Sequence, residues 1–148
     1  MKNLRILSLA FMMVAFLGVI SCKSDDAEPT DQELTEEALS GTWTLNTSSS
    51  DFANLVETPD ATVTVTATGI TITGGLAAYV SNISYSVSET GSLTGADATI
   101  ASSEIEISGD VTATINDSLD MITVSFATSP TARVAGTGTF KLVFDKAS

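Results

Sequence analysis

The chain predicts an all-β domain with a short N-terminal helix in front of it, and three observations carry that expectation. From Gly41 onward, apolar residues alternate with Thr and Ser at a period of two, as in Trp43-Thr44-Leu45 and Thr62-Val63-Thr64-Val65. Such alternation marks strands with one buried and one wet face, and hence antiparallel sheet. Turn-forming residues interrupt it at Thr68-Gly69, Gly74-Gly75, Glu89-Thr90-Gly91 and Ser108-Gly109-Asp110, about every ten residues. The connections are mostly short, so neighbouring strands should pair in chain order. The expected fold is an antiparallel meander of about eight strands, closed either as an up-and-down barrel or as a two-sheet β-sandwich.

The elements follow in order. Thr30 is a good helix N-cap and Glu33, three residues on, completes a capping box. Asp31 and Glu33 suit the positive end of the helix dipole, and Leu34, Ala38 and Leu39 fall near one face. Gly41 stands where the helix would stop or the chain reverse. Trp43 and Leu45 open the first strand. The long connection from Ser48 to Asp60 carries Phe52, Leu55 and Val56, and is expected to pack across an open end. Ala61, Val63, Val65 and Ala67 form one inward row, Ile70 and Ile72 the next. Leu76 to Val80 is apolar but of no clear type. Ile83, Tyr85 and Val87 form another row, then Ile105 and Ile107; Ile100 has the opposite parity, which suggests a bulge at Ser102-Ser103. Val111, Ala113 and Ile115 follow, then Ile122, Val124 and Phe126 up to a break at Ser129-Pro130, and finally Phe140, Leu142 and Phe144. Thr suits the wet positions because it keeps strand propensity while staying polar.

The segment ahead of this domain is of another kind. Lys2 and Arg5 precede an apolar run from Ile6 to Ile20, at about 15 residues short of the roughly 20 that span a bilayer. Val19-Ile20-Ser21-Cys22 then resembles a bacterial lipobox, with Val where the family usually has Leu. The resemblance implies cleavage before Cys22, diacylation of its thiol with palmitate-like chains, and acylation of the new amino terminus. Several acyl chains, at about 0.8 kcal/mol per buried CH₂, hold a soluble domain on a membrane. Residues 1–21 are thus expected to be a signal peptide, 22–30 a lipidated Cys with an acidic tether, and 31–148 a single β domain. Lys23-Ser24-Asp25-Asp26 is similar to export signals that place lipoproteins on the outer face of the outer membrane. The expected location is therefore the outer membrane at the cell surface, with a periplasm-facing domain as the alternative.

A second resemblance rests on Leu39-Ser40-Gly41-Thr42-Trp43. A short helix leading into Gly-x-Trp on the first strand is similar to the opening of lipocalin-like domains. It implies that Trp43 plugs the closed end of a barrel, beneath a basic side chain from the last strand region; Arg133 and Lys141 are candidates. A hollow barrel of this kind would line a site for a small hydrophobic ligand with Trp43, Tyr85, Phe126 and Phe140. The same bulky inward residues equally describe a filled core.

Composition narrows the chemistry. All 18 acidic residues follow Cys22 but only four of the six basic ones do, leaving a mature charge of −14. Such a surface repels phosphate backbones, so nucleic acid is not an expected partner. There is no His, and the one Cys is consumed by acylation, which removes the usual general base, thiol catalysis and zinc ligation. No catalytic constellation and no cofactor are expected, and the chain is not read as an enzyme. Asp117 and Asp120 could hold a calcium ion loosely in a turn, without the dense Asp/Gly pattern of a dedicated site. Asp117-Ser118-Leu119 is similar to a bacterial O-glycosylation sequon, which makes Ser118 a candidate acceptor. Two functions remain open: a structural or protein-interaction module with a protein partner, or a carrier of a small apolar ligand.

Overall fold

The structure is a computed structural model and describes residues 28–52, 58–102, 105–130 and 138–147. Cys22, the signal segment, most of the tether, Leu55, Val56, Ser103, Glu104 and Arg133 lie outside the described residues. Helix α1 (Asp31–Leu39) leads. Ten strands follow among the described residues: β1 (Trp43–Leu45), β2 (Asp51–Phe52), β3 (Thr62–Thr66), β4 (Gly69–Thr73), β5 (Val80–Val87), β6 (Leu93–Ile100), β7 (Ile105–Ile107), β8 (Thr112–Ile115), β9 (Met121–Pro130) and β10 (Gly138–Lys146). None of the helices among the described residues is long and apolar enough to cross a membrane.

The α1 cap forms as its sequence dictates. The Thr30 hydroxyl accepts from the Glu33 backbone N–H at 3.2 Å, and the Glu33 carboxylate accepts from the Thr30 N–H at 2.9 Å. The buried face, however, is Thr35, Ala38 and Leu39; Leu34 is 41% exposed. Residues 35, 38 and 39 have the i, i+3, i+4 spacing of one stripe, and position 34 lies about 90° from its centre, outside its edge.

The strands make two antiparallel sheets. One runs β3-β4-β5-β6; the other runs β1-β10-β9-β7, with β2 also on β10 and β8 also on β9. Among the described residues the sheets do not close into a hydrogen-bonded barrel, so the sandwich alternative describes them better. Register resolves the strand number. β7 and β8 both pair antiparallel with β9, Ile107 opposite Thr128 and Thr112 opposite Ser125. They are one strand track, and 108–111 is a bulge rather than the chain reversal expected from Ser108-Gly109-Asp110. β1 and β2 likewise lie along β10, Leu45 opposite Phe144 and Phe52 opposite Phe140. Counted by track there are eight strands among the described residues, and the first pairs with the last.

Other expectations change in detail. Leu76 to Val80 divides into a 3₁₀ turn (Gly75–Ala78), tied by the Leu76 N–H to the Asp60 carbonyl at 2.9 Å, and the start of β5. Ser129-Pro130 does not interrupt β9, because Pro130 ends the strand, paired with Ile105 at its edge. Strand β6 has no counterpart in the sequence reading. In β10, Phe140, Leu142 and Phe144 point inward as expected, but Val143 is buried too. The excursion between β1 and β2 covers it: Ser50 Oγ accepts from the Val143 N–H at 2.9 Å, and the Val143 carbonyl accepts from the Asn46 N–H at 2.7 Å.

The core lies between the sheets. Ile70, Leu76, Ile83, Ile122, Leu142 and Phe144 each have 0% exposure, and full burial of such side chains is worth roughly 1.5–3 kcal/mol apiece. Leu39 of α1, also at 0%, joins this cluster and closes one end.

Candidate functional site

Three places on the molecule carry the candidate residues. The first is the interior. Trp43, Tyr85, Phe126 and Phe140 all belong to one continuous hydrophobic cluster, each with 4% exposure or less. Phe126 of β9 and Phe140 of β10 are direct cross-strand partners, their rings stacked at 5.2 Å between centroids and 7° between planes. Tyr85 donates its hydroxyl to the Thr66 carbonyl at 2.9 Å. The sequence pattern brings these four together as the inward rows of their strands.

Tyr85 also makes the core sensitive to alkali. Burial pushes its phenol well above the usual 10.0. Up to pH 10 both folded and unfolded chains hold the proton, and stability is unaffected. Above it the unfolded chain ionises while the folded one does not, so stability falls as pH rises, by up to about 1.4 kcal/mol per pH unit. Alkaline unfolding followed by Trp43 fluorescence should begin near that point. Tyr85→Phe should flatten the slope, at a cost near neutral pH of about 1 kcal/mol for the lost bond to Thr66. An undiminished slope in the variant would place its origin in another group.

The second place is the end closed by α1. Trp43 is 3% exposed, and its Nε1–H has no acceptor among the described residues. The Lys146 ammonium sits over its ring, 6.0 Å from the centroid, in cation–π range. Gly41 makes room for it: a Cβ there would stand 2.6 Å from Lys146 Cε. The basic partner of Trp43 is therefore Lys146. Lys141 is exposed on the outer row of β10. The β1–β10 register, which sets Trp43 opposite Lys146, was the signal that single-strand patterns do not contain.

The third place is the loop from Asn116 to Met121. Asn116 organises it. Its Oδ1 accepts from the N–H groups of Asp120 and Met121, both at 3.0 Å, and its Nδ2 donates to Asp120 Oδ1 at 2.6 Å. The Asp120 carboxylate is thus engaged by an amide, while Asp117 lines a groove shared with α1. Among the described residues no group of three or more Cys, Asp or Glu is placed to hold a metal. Ser118 is exposed at the loop tip, accessible to a modifying enzyme.

That groove encloses about 410 Å³ between the first turns of α1, the 90–93 turn and the β8–β9 loop. Sequence reasoning missed it, because its walls come from segments of the chain far apart in sequence. Thr35 locks two of those walls together, donating its buried hydroxyl to the Gly91 carbonyl at 3.1 Å.

Comparison with protein-family models, with curated proteins and with solved structures finds no match for this chain.

Proposed function

We propose that this chain is a lipid-anchored lipoprotein of the cell envelope, held by acyl chains on Cys22, whose β domain is a non-catalytic structural or protein-interaction module. The observation that carries the second half of this reading is the filled interior. The positions that would line a hollow barrel are occupied by large side chains packed on one another, with the Phe126–Phe140 stack among them. A carrier needs a cavity for its ligand, and these side chains stand where it would be.

The domain is lipocalin-like in this reading. Supporting it are the meander order of the strand tracks and Lys146 over Trp43 next to Gly41, in an open, two-sheet version of that architecture. The proposed location is the outer membrane, with the acidic tether favouring the cell surface over the periplasm. The lipobox-like Val19 to Cys22 and the acidic 25–26 pair support the anchor and the address.

One preparation tests both halves. Cells expressing the full chain are labelled with radioactive palmitate, and the purified protein is titrated with fatty acids and sterols while Trp43 emission is followed. Label in the native chain but not in Cys22→Ser, with a blue-shifted emission that no ligand moves, is the expected result. Label independent of Cys22 would overturn the anchor. A saturable emission shift with one ligand class would make the carrier reading the better one.

A further inference from the structure

We propose that the groove beside α1 is a binding site for a small amphiphilic amine, distinct from the filled core and independent of the lipid anchor. The argument starts from what lines it. Its floor is apolar: Leu34 of α1, Leu93 of β6, and Ala113 and Ile115 of β8. Leu34 is one of two large apolar side chains that stand exposed among the described residues, at 41%. The floor falls at the seam between the two sheets, where β6 and β8 lie side by side without pairing into one sheet. A break in the sheet is a natural place for a cleft, and 410 Å³ is the size of a small-molecule site.

The rim decides the charge. Asp31 from α1 and Asp117 from the β8–β9 loop both line the groove, and neither carboxylate has a hydrogen-bond or ion-pair partner among the described residues. Among the described residues the lining contains no Lys or Arg. The other polar groups are largely engaged: Asn116 closes its own turn and Thr35 is bonded to Gly91. The positive end of α1 lies nearby, but the Thr30–Glu33 box holds the N–H groups of Thr30 and Glu33, and the charges of Asp31 and Glu33 more than offset the half charge of the dipole. A cleft with low-dielectric walls and one sign of charge concentrates the opposite ion. The complementary ligand has one protonated amine for the rim and a short alkyl or aryl body for the floor.

The test uses the full chain in phosphatidylcholine nanodiscs, titrated calorimetrically with 1-naphthylmethylamine, 1-naphthylmethanol and 1-naphthylacetate, with empty nanodiscs subtracted. The amine should bind roughly ten-fold more tightly than the alcohol, and the carboxylate not at all. Asp31→Asn and Asp117→Asn should each weaken the amine by roughly two- to five-fold, as expected for exposed charges, and leave the alcohol unchanged. Raising the salt should narrow the gap between amine and alcohol. Both aspartates are exposed, and unchanged Trp43 emission verifies that the variants are folded. Equal affinity for amine and alcohol, no saturable binding, or an amine affinity indifferent to both substitutions overturns the proposal. So does tighter binding of acetyl-Leu-Lys-Leu-amide than of the amine, which would make the occupant a segment of a partner protein.

Discussion

Phe126→Ala should remove about 3–5 kcal/mol of stability, a large share of the roughly 5–15 kcal/mol that a domain of this size has in total. Phe126 is 2% exposed and lies in β9, between the β7/β8 track and β10. Truncation removes the ring from a core in which Val124 and Leu142, beside it along the two strands, are themselves fully buried and held by the ladder. The walls are strands rather than mobile side chains, so the cavity collapses little, and the cost falls at the high end of such substitutions. Loss of the stack on Phe140 adds about 0.5–1.5 kcal/mol. Chemical denaturation followed by Trp43 fluorescence measures the change. The double substitution Phe126→Ala/Phe140→Ala should cost less than the two singles together, because the second ring then borders space already opened by the first. A loss below about 1 kcal/mol would mean that the ring already faces empty space, and would remove the main support for a filled core.

How much of this was legible in advance follows from where the information resides. The α1 cap is written in the four positions from Thr30 to Glu33 and forms as its sequence dictates. The inward rows at Ile70/Ile72, Ile83/Tyr85, Ile122/Val124/Phe126 and Phe140/Leu142/Phe144 are written in local period-two patterns and also formed. Strand β6 escaped notice because its inner positions after Leu93 are Ala96, Ala98 and Ile100, with Gly95 between them. Small side chains give little hydrophobic signal, and pairing with β5 holds this strand in the sheet. The 108–111 bulge looked like a reversal because Ser, Gly and Asp favour both, and only the shared partner β9 tells them apart. Lys146 over Trp43, and the groove between Asp31 and Asp117, arise from contacts between distant parts of the chain. Those positions carry no periodicity that a local reading could use.

The second large effect should come from a single methyl group at Gly91. This residue has φ +73° and sits beneath α1, buried, in the turn between β5 and β6. A Cβ there would lie 2.7 Å from Thr35 Oγ1 and 2.9 Å from the Asp31 carbonyl oxygen. The second obstacle is helix backbone, which cannot rotate aside. Gly91→Ala therefore adds the left-handed strain of a non-glycine residue, about 1 kcal/mol, to a clash that is relieved only by lifting α1. Lifting the helix breaks the buried Thr35–Gly91 hydrogen bond and withdraws Leu39 from the core. Each of these costs on the order of 1–2 kcal/mol, so with the strain the total should reach about 3–5 kcal/mol. Gly95→Ala is the internal control: its φ is +61°, yet a Cβ there meets nothing within 4 Å. It should cost only the strain, about 1 kcal/mol, and the difference between the two variants measures how tightly α1 is seated. If the two cost the same, α1 rides loosely on the β5–β6 turn. The groove that depends on its position would then have no fixed wall, and amine binding should already be weak in the unmodified chain.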